Sequence, residues 1–315
     1  MTEAGQHPPT ARSVALAVGA AGLWGLGLVL VKLGLRDVPP LTFAASRYVL
    51  GALTLVIFRA LRNRSGAVLG GVIRNRSVIA LGALLYAAVP AAQFIAIDRI
   101  EAGTFNFVFQ SGIPLILAFT AGFVLRERTS AREWFGVAFV VMGVYAFYPS
   151  VPSGPELAGA LLALAAATGI GVSNLIQRRV MRTAGTSSLD VTLVSMVIGA
   201  SLLTVIALAA EGTPRLAASS IMLVVFLGVV TTALAFTMWH EAMRGLKALH
   251  AGIIASGQIF EVPILAAVIL GETFTYRQWV GSAVVLVGIL IVQASRQSQR
   301  TTALPTTLAG PARAQ

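Results

Sequence analysis

The chain contains no cysteine, which excludes disulfides, thiolate zinc sites, iron–sulfur clusters and a cysteine nucleophile. Histidine is almost as scarce. Only His7, His240 and His250 are present, with no H-E-x-x-H spacing, so no metal centre and no bound cofactor are expected. Charge is sparse too: Asp, Glu, Lys and Arg make up 11% of 315 residues, against roughly 25% in an ordinary globular domain. A chain with so few charges cannot cover a water-facing surface, and its 57% hydrophobic content suits a lipid solvent. Gly25-x-Gly27 and Gly169-x-Gly171 lack the strand–turn–helix setting of a nucleotide fingerprint, and no Walker motif occurs, so ATP-driven pumping by this chain alone is not expected.

What remains is long apolar runs. About 20 apolar residues cross a bilayer core, and windows of that size give ten candidates, at about 13–35, 40–60, 77–97, 102–125, 133–149, 156–177, 188–210, 217–239, 249–271 and 277–294. The fold class read from them is an all-α integral membrane protein of ten transmembrane helices. The first run is too long for the apolar core of a signal peptide, which spans about 7–15 residues. The tails, 1–12 and 295–315, are rich in Thr, Pro, Gln and Ala and are expected to be disordered.

Acidic side chains are the scarcer sign, 12 against 23 basic, for a net charge of +11. Nucleic-acid binding is one reading of that excess. The distribution favours another. With the N-terminus inside, 17 of the basic residues fall in inside segments, 4 in outside segments, and Lys32 and Arg47 within spans. Such a bias predicts cytoplasmic N- and C-termini and no nucleic-acid partner.

A repeat runs through the chain at an offset of 145 residues. Ser111-Gly112 falls on Ser256-Gly257, Glu127 on Glu272, Arg132-x-Trp134-x-Gly136 on Arg277-x-Trp279-x-Gly281, and Gly143 on Gly288. Each half, 13–149 and 156–294, holds five runs. Five is odd, so the second half enters the membrane from the opposite side, and a direct sequence repeat becomes an inverted one in space. Inverted repeats build many secondary transporters, with the substrate site near the midplane where the halves meet. A repeat retained only for packing is the alternative.

Several pieces in this order resemble the EamA-type members of the drug/metabolite transporter superfamily: Trp24-Gly25 followed by Lys32; Pro39-Pro40 followed by Arg47; Pro114 with Glu127, Gly136 and Gly143; and Gly271-Glu272 with Gly281 and Gly288. The resemblance covers about 13–294. Two departures concern the second half: Ile259 stands where Pro114 would repeat, with Pro263 one turn on, and Gln177 or an apolar residue stands for Lys32. The resemblance implies a permease of the bacterial inner (plasma) membrane that moves a small molecule, often an exporter of amino acids, metabolites or drugs. It leaves monomer and homodimer both open.

Polar groups inside a span are functional candidates by default. Glu261, near the middle of the ninth run, is read as a proton carrier or a partner for a cationic substrate, with a hydrogen-bonded structural acid as the alternative. Arg47, about two turns inside the second run, could hold an anionic substrate, pair with Glu261, or snorkel. Lys32, close to its span end, is read mainly as snorkelling. Asn106 and Gln110 share one face of the fourth run; with Gln93, Gln258, Asn174 and Gln177 they could line a polar cavity alongside Trp24, Tyr86 and Phe109, or glue helices together. Glu127 and Glu272 are read as residues that shape helix ends. No grouping suggests catalysis. Beside a small-molecule transporter with alternating access, possibly proton-coupled, stand a lipid-carrier flippase and a structural membrane subunit.

Overall fold

The apolar runs become helices for a local reason. Their backbone groups have no partner in lipid except each other, and Ala, Leu, Val and Gly dominate them. The computed structural model describes residues 10–61, 71–124, 130–148, 150, 152–181, 188–213, 216–243, 245–246 and 248–302. Among the described residues the long helices are α1 (Ala11–Gly34), α2 (Pro40–Leu61), α3 (Arg76–Arg99), α4 (Ala102–Val124), α5 (Ala131–Phe147), α6 (Gly154–Met181), α7 (Ser188–Glu211), α8 (218–242), α9 (248–270) and α10 (Tyr276–Thr302). There is no strand among the described residues. Eight of these helices are long and apolar enough to cross a membrane: α1, α2, α3 and α6 to α10. Their outward faces stay apolar, with Val268 78% and Met222 73% exposed, as lipid contact requires and water would not favour.

Two corrections concern the tails. Residues 11 and 12 open α1, where Thr10 caps the first turn by accepting from the Ser13 amide at 3.2 Å. At the other end α10 runs on to Thr302. Gln, Arg and Ala are adequate helix formers, and no Gly or Pro interrupts before Pro305. The rest of both expected tails, and Glu127, lie outside the described residues.

The 145-residue offset reappears in the backbone. α3 holds a π-helical turn at Leu84–Ala88 and α8 one at Val229–Leu234, so the two begin in the same register of the repeat. Pairings recur as well: α3 packs on α6 as α1 packs on α8, and α4 on α6 as α9 on α1. The closest pair joins the last helix of each half, α5 and α10. A Cβ built on Gly136 would sit 2.9 Å from the Gly288 carbonyl oxygen, and one on Gly143 would sit 2.7 Å from that of Gly281. The reversed order of contacts makes the pair antiparallel, and the four glycines let the backbones touch.

Charged side chains fasten the helix ends. Call the end where α1 turns into α2 the upper one. There Glu211 accepts from the Leu41 and Thr42 amides at 2.9 and 2.7 Å, donors that the first turn of α2 cannot otherwise satisfy. Glu272 does the same for Ala102 and Gly103 of α4, at 2.7 and 3.0 Å. Each carboxylate also meets the positive end of a helix dipole. Gly271, at φ 74°, makes the left-handed turn that ends α9 and brings Glu272 round. At the lower end Arg59 and Asp190 form a buried ion pair at 2.8 Å between α2 and α7.

Candidate functional site

α9 is interrupted at its centre. Its helical parts, Ala248–Ser256 and Gln258–Leu270, meet at Gly257, and Pro263 has no N–H for the Ile259 carbonyl. Side-chain amides hold the broken region. Asn106, 2% exposed, donates Nδ2 to the Gln258 carbonyl at 2.8 Å. Gln110 donates Nε2 to the Ala255 carbonyl at 3.2 Å. Gln258 donates its own Nε2 to the Ala21 carbonyl of α1 at 2.9 Å, and Gln293 of α10 donates to Ser256 Oγ at 3.0 Å. The face shared by Asn106 and Gln110 therefore binds α4 to the interruption in α9.

One turn beyond the break, Glu261 projects from α9 against α1. Its Oε1 lies 3.7 Å from an ideal Cβ on Gly22. A Cβ on Gly25 would overlap the carboxylate itself. The residue is half-buried and forms no hydrogen bond or ion pair among the described residues. Two glycines on α1 thus make room for a bare carboxylate at mid-helix.

A second polar group lies on the other side of α1. Arg47 of α2 reaches the π-helical turn of α8, donating Nε to Thr232 Oγ1 at 3.2 Å and Nη2 to Thr231 Oγ1 at 3.3 Å. Both threonine hydroxyls donate to the Leu227 carbonyl, at 2.9 and 3.0 Å, which leaves their lone pairs for the guanidinium. On a regular helix, adjacent side chains diverge by about 100°; the π turn helps both hydroxyls serve one arginine. Thr231 Oγ1 also stands 2.9 Å from an ideal Cβ on Gly27. Nearby, Tyr48 and Tyr86 meet edge to face at 6.0 Å, and neither hydroxyl is hydrogen-bonded among the described residues.

The pairing of Arg47 with Glu261 envisaged from the sequence is not formed. Glu261 faces Gly25 and Thr231 faces Gly27. Two residues are about 200° around a helix and 3 Å along it, so α1 stands between the groups at one depth.

The remaining candidates take other places. Lys32 donates Nζ to the Ile97 and Asp98 carbonyls at 2.7 and 3.1 Å; rather than snorkelling freely, it satisfies the end of α3. Trp24 packs on Phe236 and Trp239 of α8, each at 5.2 Å. Phe109 stacks on Phe105. Gln93 and Gln177 are half-buried and Asn174 exposed, with no hydrogen bond among the described residues. A depression of about 350 Å³ lined by Arg132, Val287, Leu290, Ile291 and Ala294 shares no residue with these groups. At the upper end, burial and then the Glu272 carboxylate hold the Glu101 carboxyl above its ordinary value, against the opposing pull of Lys32. Sequence reasoning missed Thr231, Thr232 and Glu211. The Thr-Thr pair inside an apolar run was the available signal for the first two; nothing local marks Glu211 as a cap for α2.

Comparison with known proteins agrees with this architecture. A solved crystal structure superposes with a TM-score of 0.62 over 92% of this chain and 99% of its own, at 20% identity, which establishes a shared fold. The chain is 26% identical over 296 residues to a Salmonella typhimurium protein named "Probable amino-acid metabolite efflux pump", covering 88% of this chain and 93% of that one. A protein of the same name from Escherichia coli K12 is 24% identical over 295 residues, at 88% and 93% coverage. An uncharacterized Bacillus subtilis transporter, YwfM, is 23% identical over 289 residues, at 90% and 94% coverage. The model of the EamA-like transporter family matches twice, at residues 11–148 and 157–294. With its two matched halves and apolar helices, the chain belongs to the EamA-like transporter family and is a membrane transporter of small molecules, not an enzyme.

Proposed function

We propose that the chain is a secondary transporter whose ten helices cross the cell membrane as two inverted five-helix repeats. Both termini are cytoplasmic, and access alternates around polar groups at mid-depth. The observation that carries this reading is the repeat in three dimensions: an antiparallel glycine seam between α5 and α10, and π-helical turns in matching register in α3 and α8. Two halves related in this way can rock against each other about the seam. The interruption in α9, tied by amides to α1, α4 and α10, is a feature of discontinuous transporter helices. The efflux names of the relatives favour export.

Glu261 is the coupling group in this reading. A carboxylate with no partner among the described residues at membrane depth is costly when ionised; in this reading it carries a proton through the cycle and releases it when access changes. The test is flux in proteoliposomes of the full chain under an imposed pH gradient, with a panel of amino acids and cationic drugs. Wild-type flux should follow the gradient, and Glu261→Gln should abolish that dependence while the protein still elutes as a folded species. Full gradient-driven flux in the variant would end the coupling role. Flux of no soluble compound, together with movement of a labelled lipid carrier, would replace the reading with flipping.

A further inference from the structure

Among the described residues Arg47 is a cation without a counterion. Two of its five N–H groups are spent on threonine oxygens, which orient the guanidinium but carry no charge to neutralise it. The described residues of the helices around it supply none at its depth. On α2 and α7, Asp190 is paired with Arg59 at the lower end and Glu211 caps α2 at the upper end. On α3 and α8, Asp98 and Glu241 stand at helix ends, and Glu261 is across α1. The other cations on α1, α2 and α3, namely Arg12, Lys32, Arg59, Arg76 and Arg99, are also at helix ends. The site therefore carries a single positive charge, pre-oriented by a polarised Thr231–Thr232–Leu227 network, beside two phenol groups with no hydrogen-bond partner among the described residues.

Building on the transport reading, we propose that Arg47 is the subsite for the carboxylate of the substrate, and that the cargo is an organic monoanion or zwitterion rather than a cationic drug. A carboxylate matches the guanidinium edge in bidentate geometry and cancels the one charge, whereas a phosphate dianion would leave an excess. Any amino group of the cargo is held elsewhere than at Glu261. A helix is on the order of 10 Å across, so a small amino acid at Arg47 cannot also touch a carboxylate behind α1. Substrate and proton thus use separate stations on opposite faces of one helix.

The test needs no flux. Thermal unfolding of the purified full chain in detergent is followed with each of the common L-amino acids and, separately, its methyl ester. At least one free acid should raise the midpoint while its ester does not. Arg47→Gln should bind that acid about ten- to a hundredfold more weakly, the loss expected for a charge-assisted pair; Arg47→Lys should retain part of the effect. Should Arg47→Gln fail to fold, Thr231→Val with Thr232→Val releases the guanidinium and should weaken the acid in the same direction. Acids and esters acting alike, no acid acting at all, or undiminished binding in the Arg47 variants would overturn the assignment. Failure of transport is a separate outcome, read as absence of flux in proteoliposomes while acid-specific stabilisation persists.

Discussion

If the glycine seam is the axis on which the halves meet, a single methyl group should be felt there. In Gly143→Ala the added Cβ would lie 2.7 Å from the Gly281 oxygen, 2.8 Å from the Val285 nitrogen and 2.6 Å from Val285 Cγ2. The first two are backbone atoms and cannot rotate away, so α5 and α10 must separate. Overpacking of this kind costs about 1–3 kcal/mol, which for a chain of this size is a fall of roughly 2–10 °C in the melting midpoint. The repeat makes the prediction sharper. Gly136→Ala, Gly281→Ala and Gly288→Ala also meet opposing backbone, at 2.9, 2.8 and 2.7 Å, and should lose comparable stability. Gly71→Ala meets nothing within 4 Å and serves as the control. Val285→Ala should rescue Gly143→Ala only in part, since the carbonyl contact stays. The assay is thermal unfolding of the purified protein in detergent. Midpoints within about 1 °C of wild type for the seam variants would refute backbone contact between α5 and α10.

Three further outcomes follow from single contacts. Asp190→Ala removes the acidic member of the buried pair with Arg59, and breaking a buried pair from one side costs about 3–5 kcal/mol; the Arg59→Leu, Asp190→Leu double variant should melt nearer to wild type than Asp190→Ala does. Gly25→Ala forces the Glu261 carboxylate aside, and a displaced rotamer costs about 0.5–1.5 kcal/mol, so gradient-driven flux should fall roughly two- to tenfold with little change in melting; unchanged flux would free Glu261 from its position against α1. Glu101 is held above its ordinary value of 4.5, so its folded form binds a proton more tightly than its unfolded form. Its contribution to stability is present at low pH and is lost as pH rises through the raised value. Melting of wild type should therefore decline more steeply above pH 4.5 than melting of Glu101→Gln, and parallel profiles would contradict the raised value.

The sequence by itself determined where the helices are. The expected ends lie within a few residues of those in the structure, because an apolar run must satisfy its own backbone regardless of its neighbours. Only α10 overran, since its polar extension is held by helix propensity rather than hydropathy. The repeat was equally plain from Trp134 and Trp279 and the four spaced glycines, which are local tokens in one register. Tertiary structure alone decided what the polar residues do. Asn106, Gln110 and Gln258 could have lined a cavity or joined helices, and the partners that settle their bonding lie up to 237 positions away along the chain. Lys32, read mainly as snorkelling, instead donates to the carbonyls at the end of α3. Arg47 and Glu261 looked like natural partners because opposite charges attract at low dielectric. The packing of α1 between them, allowed by the absence of side chains at Gly25 and Gly27, keeps them apart.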